Sequence, residues 1–170
     1  MSHQRSQALL LSTLAVILVT GCGSGSPGGC AAPGVSPDGL LGNQAPNFVL
    51  PNLAGEPVDL ANLVREKPTL LVFWATWCPT CVEEIPLLNE WSEKYPGLRI
   101  LAVNVQEPRT HVSEFAKHHQ IRYPVVLDEE GDVAHEYGLV GIPASVLLAK
   151  GGRVLYYGFA LPHNIEQLIQ

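Results

Sequence analysis

The sequence feature that most constrains the fold is a pair of cysteines, Cys78 and Cys81, set between a strand-like and a helix-like segment. Residues 69–74, before the pair, form an apolar run without Gly or Pro, as in a buried strand. Residues 82–95, after it, carry apolar side chains at helical spacing. The pattern predicts that Cys78 lies at a helix N-terminus, where unpaired N–H groups and the helix dipole stabilise a thiolate.

A thiolate at this place favours disulfide exchange, because the thiolate is the species that attacks a disulfide sulfur. We therefore expect an attacking thiol at Cys78 and a more buried resolving thiol at Cys81. The alternative is half of a zinc site, which needs a second cysteine pair or two histidines. The other cysteines, Cys22 and Cys30, lie far upstream, and no suitably spaced histidine pair follows. No metal site is predicted.

The first residues are typical of an export signal. Arg5 precedes an uncharged apolar run of 13 residues, 8–20, which is shorter than the roughly 20 residues that span a bilayer. The run ends in Val-Thr-Gly-Cys, which resembles the bacterial lipoprotein box. That resemblance implies a lipoprotein signal peptide over residues 1–21 and lipidation of Cys22. The alternatives are an ordinary signal peptide cut near Gly23 and an uncleaved anchor.

Residues 22–42 are interpreted as the lipidated Cys22 and a flexible tether. Gly, Pro and Ser fill 13 of the 20 positions from 23 to 42, so the segment buries too little surface to offset its chain entropy. The export signal places the rest of the chain outside the cytoplasm, where disulfides persist, anchored by lipid to a bacterial membrane. Gly23 leaves open which membrane, or which side of the cell envelope, holds the anchor.

The remaining residues, 43–170, have the length of one domain. Strand and helix patterns alternate along them and end in a hairpin around residues 150–152. This order predicts an α/β fold with a mixed sheet, mainly parallel, flanked by helices. The formal net charge of −6 argues against nucleic acid as a partner.

Two sets of motifs resemble known families. Residues 73–81, Phe-Trp-Ala-Thr-Trp-Cys-Pro-Thr-Cys, together with Gly-Ile-Pro at 141–143, resemble the thioredoxin superfamily. Ala-Pro-Asn-Phe at 45–48, the turn at 52–55, Glu-Ile-Pro at 84–86 and the segment 137–143 resemble the membrane-anchored TlpA/ResA-type thiol–disulfide oxidoreductases. The resemblance implies a thioredoxin-like fold with an N-terminal β-hairpin and a central insertion supplied by residues 107–123.

The resemblance also implies site residues. Cys78 matches the attacking thiol and Cys81 the resolving thiol of the family. Glu84 matches a glutamate that lies near the cysteines and tunes their protonation. Thioredoxin itself has a buried Asp six residues before its first cysteine, and Val72 stands there in this chain. The missing acceptor adds weight to Glu84, whose alternative interpretation is a solvated helix residue.

Three further residues are expected to contact the substrate. Pro143 matches the cis-proline that packs beside the disulfide and offers backbone to an incoming peptide. Ile142, before it, is also expected to bind substrate; it stands where many relatives have other residues, which leaves its effect on substrate choice open. Trp77 is expected to shield the disulfide.

The function implied is an extracytoplasmic protein dithiol–disulfide oxidoreductase that reduces protein disulfides and needs no cofactor. Family likeness suggests apocytochrome c as substrate and a membrane electron donor of the CcdA/DsbD kind. One alternative is a thiol peroxidase of peroxiredoxin type, whose Pro and Thr or Ser would stand where Leu71 and Ala75 are found. The other is a copper chaperone of related fold, although its Cys-x-x-x-Cys spacing is one residue longer.

Overall fold

Seven strands run through the part of the chain that the structure, a computed structural model, describes, residues 37–169. They are β1 (Val49–Pro51), β2 (Pro57–Asp59), β3 (Thr69–Trp74), β4 (Arg99–Val105), β5 (Val125–Asp128), β6 (Ala144–Leu148) and β7 (Val154–Gly158). A mixed sheet has the order β5-β4-β3-β6-β7, with β3, β4 and β5 parallel and β6 and β7 antiparallel to their neighbours. The α/β class and the mixed sheet predicted from the sequence are confirmed.

Helices cover both faces of this sheet. They are α1 (Pro37–Leu40), α2 (Leu60–Glu66), α3 (Pro79–Lys94), α4 (Arg109–His118), α5 (Asp132–Glu136) and α6 (Ile165–Leu168). Side chains alternate along a strand. Leu70, Val72 and Trp74 therefore join the core under α3, α4 and α6, and Leu71 and Phe73 join the core under α2 and α5. None of the helices within residues 37–169 is long and apolar enough to cross a bilayer.

The N-terminal hairpin and the central insertion are present as expected. Strands β1 and β2 pair antiparallel, and the Asn52 side chain accepts hydrogen bonds from the N–H groups of Ala54 and Glu56 in the turn between them. An isolated bridge between Asn52 and Val126 joins this hairpin to the edge strand β5. Helix α4 lies in the segment between β4 and β5, where the insertion was predicted.

The packed fold begins earlier than residue 43, where the sequence interpretation started the domain. Residues Pro37–Leu40 are helical, and Leu40 is only 2% exposed. The N–H of Gly42 donates to the carbonyl of Val154 at 2.9 Å. Composition alone suggested a tether here, but one large apolar side chain is enough to bind the segment to the core. The predicted signal peptide, Cys22 and Cys30 lie outside the described residues.

Candidate active site

The two cysteines of the motif are joined by a disulfide, with 5.3 Å between their Cα atoms. Cys78 is the N-cap residue of α3, and its Sγ accepts a hydrogen bond from the N–H of Cys81 at 3.3 Å. Pro79 follows at the start of the helix, where its missing N–H costs no hydrogen bond. The predicted placement of Cys78 at a helix N-terminus is confirmed. A thiolate formed there would be stabilised by the same N–H and by the helix dipole.

Both cysteines are buried, and Cys81, the expected more buried partner, is so by only a small margin. Cys78 is 5% exposed and Cys81 is 3% exposed. Both belong to the apolar core that α3 closes over the sheet. Trp77 is 69% exposed, and hence it stands out from the surface beside the disulfide.

The peptide bond between Ile142 and Pro143 is cis, as predicted. Ala144 opens β6 and pairs with Phe73 near the end of β3. The antiparallel register therefore brings Pro143 beside the loop that leads to Cys78. Within residues 37–169, no hydrogen bond is formed by the backbone of Ile142. Its N–H and carbonyl therefore have no hydrogen-bond partner among the described residues.

A cavity of about 500 Å³ opens next to Trp77 and Ile142. Its wall also contains Leu139, Gln106 and His135. These side chains come from the loop after β4, from α5 and from the segment before β6, all of which meet near the carboxyl end of β3. The structure therefore brings Trp77 and Ile142, two of the predicted substrate-binding residues, to one cavity.

Glu84 lies on α3, one turn after Cys81, and is partly buried. Its Oε2 atom is inaccessible and has no hydrogen-bond partner among the described residues. Burial raises the pKa of the Glu84 carboxyl above its usual value, and the backbone N–H of Leu161 offsets part of this effect. The pKa values of the Tyr123 and Tyr156 hydroxyls are also raised. Burial is the main cause for both, and the negative charge of Glu84 is the second. Tyr123 belongs to the apolar core that contains Cys81, and Tyr156 packs against this core.

A second carboxylate, Glu107, was missed as a site residue by the sequence analysis. It is 7% exposed and accepts hydrogen bonds from the Thr76 N–H at 2.7 Å and the Thr76 hydroxyl at 2.5 Å. The Asn104 amide donates to it at 2.8 Å, and the His111 ring lies 3.8 Å away. The sequence did contain a signal for Glu107. Asn104 and Glu107 are polar residues at and just after the carboxyl end of the apolar strand β4, and in a parallel pair this end adjoins the carboxyl end of β3.

No metal site accompanies these groups in the described part of the chain: residues 37–169 contain no cluster of three or more His, Cys, Asp or Glu arranged to hold an ion. The chemical groups described at this site are the cysteine pair, the cis-proline loop and the carboxyl groups of Glu84 and Glu107.

Residues 41–157 match the AhpC/TSA family. The chain belongs to the AhpC/TSA family. It is 36% identical over 117 residues to the thiol-disulfide oxidoreductase ResA of Bacillus thuringiensis subsp. konkukian, covering 68% of this chain and 67% of that protein. It is 40% identical over 134 residues to the ResA of Geobacillus thermodenitrificans, covering 76% of each.

Solved structures of thiol–disulfide exchange proteins resemble the structure of this AhpC/TSA family member. A protein from Chlorobium tepidum assigned as the thiol:disulfide interchange protein DsbE has a TM-score of 0.70 at 30% identity, over 76% of this chain and 94% of that one. StoA from Bacillus subtilis has a TM-score of 0.61 at 29% identity, over 73% and 94%. The thioredoxin-like fold and the enzyme class predicted from the sequence, thiol–disulfide oxidoreductase, are confirmed.

Proposed function

We propose that this protein is an extracytoplasmic reductant of protein disulfides that works through Cys78 and Cys81. The observation that carries the proposal is the disulfide between these two residues at the N-terminus of α3, with Sγ of Cys78 facing the N–H of Cys81. A bond at this place can be opened by two electrons and closed again. The helix N-terminus stabilises the thiolate of the reduced form.

The exchange has two steps. The Cys78 thiolate attacks one sulfur of the substrate disulfide, forms a mixed disulfide and expels the other substrate sulfur as a thiolate. Cys81, once deprotonated, then attacks Sγ of Cys78 and expels the second substrate thiolate. Two electrons have passed to the substrate, and the Cys78–Cys81 disulfide has formed again.

Glu84 is the group that we assign to the proton of Cys81. A general base works best when its pKa lies near the working pH, and burial moves the pKa of the Glu84 carboxyl in that direction. The strand residue Val72 has no group that could accept the proton. In this role Glu84 takes the thiol proton in the second step and releases it to solvent.

The substrate chain is proposed to lie along the cis-proline loop as an extended segment. The backbone of Ile142 is free of hydrogen bonds within the described fold and can pair with such a segment. Pro143 sets the direction of this backbone, and Trp77 supplies an exposed apolar wall for the cavity beside it. These contacts recognise polypeptide rather than a small thiol.

The location rests on the first residues of the chain, and the partners rest on likeness to the family. After removal of a signal peptide over residues 1–21, a lipid on Cys22 would hold the domain outside the cytoplasm through the tether that follows it. A reductant there must be recharged, and a membrane electron donor of the CcdA/DsbD kind fits that need. Apocytochrome c, before haem attachment, is the proposed substrate. Replacing Cys22 by Ser is expected to abolish the incorporation of a labelled fatty acid into the protein, and labelling that persists in this variant would contradict the lipid anchor.

A peroxidase is a weaker assignment because its hydroxyl-bearing residue would stand three positions before Cys78. Ala75 occupies that position and is fully buried. The only hydroxyl nearby in the described loop, on Thr76, is held by Glu107.

Trapping of the mixed disulfide tests the proposal. With Cys81→Ser, the second step cannot occur, so a reduced variant should accumulate as a covalent adduct with a protein disulfide substrate. Mass spectrometry should find the adduct on Cys78. The Cys78→Ser variant serves as the control and should form no adduct. An adduct that forms equally in both variants would refute the assignment of Cys78 as the attacking thiol.

A further inference from the structure

We propose that Glu107 is a positioning residue that holds the loop carrying Cys78 in its reactive geometry. This inference rests on the exchange chemistry proposed for Cys78. The carboxylate accepts hydrogen bonds from both donor groups of Thr76, the backbone N–H at 2.7 Å and the hydroxyl at 2.5 Å. Thr76 lies two residues before Cys78. Glu107 therefore anchors the loop that leads to the disulfide, without a hydrogen bond to either cysteine.

The anchor is attached to the rigid part of the fold. Asn104 is the last but one residue of β4, is fully buried, and pairs in register with Trp74 at the end of β3. Its side-chain amide donates to Oε2 of Glu107 at 2.8 Å. Glu107 is therefore held by the central sheet on one side, and it holds Thr76 on the other. No backbone hydrogen bond is formed by the N–H of Thr76 among residues 37–169, so Glu107 is its partner.

The use of a charged group for this contact indicates that it fixes the geometry of the loop as well as stabilising the fold. A buried carboxylate is costly unless several donors satisfy it. Here three donor groups do so, and two of them belong to a single loop residue. A loop that only needed closing could use a neutral partner. Charge-assisted hydrogen bonds are shorter and stronger, and they restrict the geometry of the residue that donates them.

Two functional features follow directly after the anchored residue. Trp77 forms a wall of the cavity beside the cis-proline loop. Cys78 caps α3, and its N–H donates to the carbonyl of Ala75 at 3.2 Å. Holding Thr76 therefore sets the position of Cys78 relative to the helix N–H groups that stabilise its thiolate. Release of Thr76 would loosen this arrangement and lower the thiolate fraction at neutral pH.

Two substitutions of Glu107 separate its effect on the loop geometry from the effect of its negative charge. Glu107→Ala removes all three contacts. Glu107→Gln keeps an oxygen that accepts from the Thr76 and Asn104 N–H groups, and its amide can donate to the Thr76 hydroxyl oxygen. The conservative variant should therefore rescue most of the function that the alanine variant loses.

Asp128 provides a matched control. It is a carboxylate 2% exposed at the end of the neighbouring strand β5, and it accepts hydrogen bonds from the N–H groups of Val133 and Ala134 at 3.2 and 2.8 Å. Its partners lie at the start of α5 and not in the cysteine loop. Asp128→Ala should lower stability without changing the chemistry of Cys78.

The measurement is the rate of alkylation of Cys78 in the reduced full-length protein as a function of pH. Because the thiolate is the species that reacts, we expect the loss of loop geometry in Glu107→Ala to slow alkylation near neutral pH by about tenfold and to move the apparent thiol titration to higher pH. Loss of the negative charge alone, as in Glu107→Gln, acts in the opposite direction, so a shift to higher pH in Glu107→Ala reports the geometry. Glu107→Gln should stay within about threefold of wild type, and Asp128→Ala should match wild type.

Overlapping pH profiles for wild type and Glu107→Ala would overturn the inference, as would equal losses in the Ala variants of Glu107 and Asp128. If Glu107→Ala does not fold, Thr76→Val tests the same point, because it keeps the N–H but removes the hydroxyl, which donates to Glu107 and also lies 3.0 Å from Nε2 of His111. It should slow alkylation in the same direction, and an unchanged profile would again overturn the inference. Disulfide exchange by wild type is measured in parallel: its absence would refute the proposed function, whereas the alkylation profiles test the positioning role on their own.

Discussion

Replacement of Glu84 by Gln should stabilise the folded protein at neutral pH while slowing its exchange reaction. The carboxyl is partly buried, its Oε2 atom has no partner in the described structure, and burial raises its pKa. The ionised side chain is therefore less stable in the folded protein than in water. Gln removes the charge and keeps the shape, so the variant loses the desolvation penalty together with the proposed base.

The size of the effect follows from the charge, because glutamine leaves a neutral polar atom in the same unpaired position. An unpaired charged group costs more than a neutral one, and for the partly exposed Glu84 side chain we take this difference as about 1 kcal/mol. For a domain of this length that corresponds to a rise in Tm of about 4 °C. A carboxyl pKa raised above the unfolded value of 4.5 means that the folded state favours the protonated form. The penalty is absent below that value and develops as the pH rises through the folded-state pKa.

Denaturant unfolding of the oxidised protein at about pH 4 and about pH 7.5 measures this difference. The free energies of unfolding of wild type and Glu84→Gln should agree at the lower pH and differ at the higher pH. Glu83→Gln is the control, because Glu83 is exposed on the same helix turn, and it should have little effect at either pH. A Glu84→Gln variant that is less stable than wild type at about pH 7.5, or equally shifted at both values, would refute the reasoning.

Three other substitutions test the fold and the cavity. Tyr137→Phe removes the hydrogen bond to the carbonyl of Pro46 at 2.7 Å and should lower the free energy of unfolding by about 1–2 kcal/mol; no loss would mean that this bond does not hold the N-terminal segment. Leu40→Ala should cost about 2–4 kcal/mol, and Leu41→Ala, at an exposed position, less than about 0.5 kcal/mol; equal effects would contradict the early start of the domain. Trp77→Ala should raise KM for a protein disulfide by about tenfold, the loss of about 1.4 kcal/mol, with little change for a small disulfide, and a uniform loss on both substrates would argue against the cavity as a binding site.

The site's main chemical groups were predictable because they follow from local order. A buried strand, a short loop and an apolar-faced helix place Cys78 at a helix N-terminus whatever the rest of the chain does. The cis bond before Pro143 came from family likeness, since an X–Pro bond alone gives no such preference. The hairpin and the α/β order followed from turn residues and from alternating patterns.

Other features depend on contacts between distant segments, which a linear pattern does not contain. Glu107 and Thr76 are 31 positions apart, and only the parallel pairing of β3 and β4 brings them together. Leu40 looks like part of a flexible segment until its partners in the core are known. The near-equal burial of Cys78 and Cys81 likewise depends on how α3 packs on the sheet.

The reduction potential of the Cys78–Cys81 pair tests the central claim most directly. The protein is equilibrated in graded thiol–disulfide buffers, free thiols are trapped, and the modified peptides are identified by mass spectrometry. A reductant should have a potential near that of thioredoxin, about −270 mV, or lower. A value near about −120 mV, as for the oxidant DsbA, would contradict the proposed direction of electron flow, and a pair that never forms a disulfide would contradict the exchange mechanism itself.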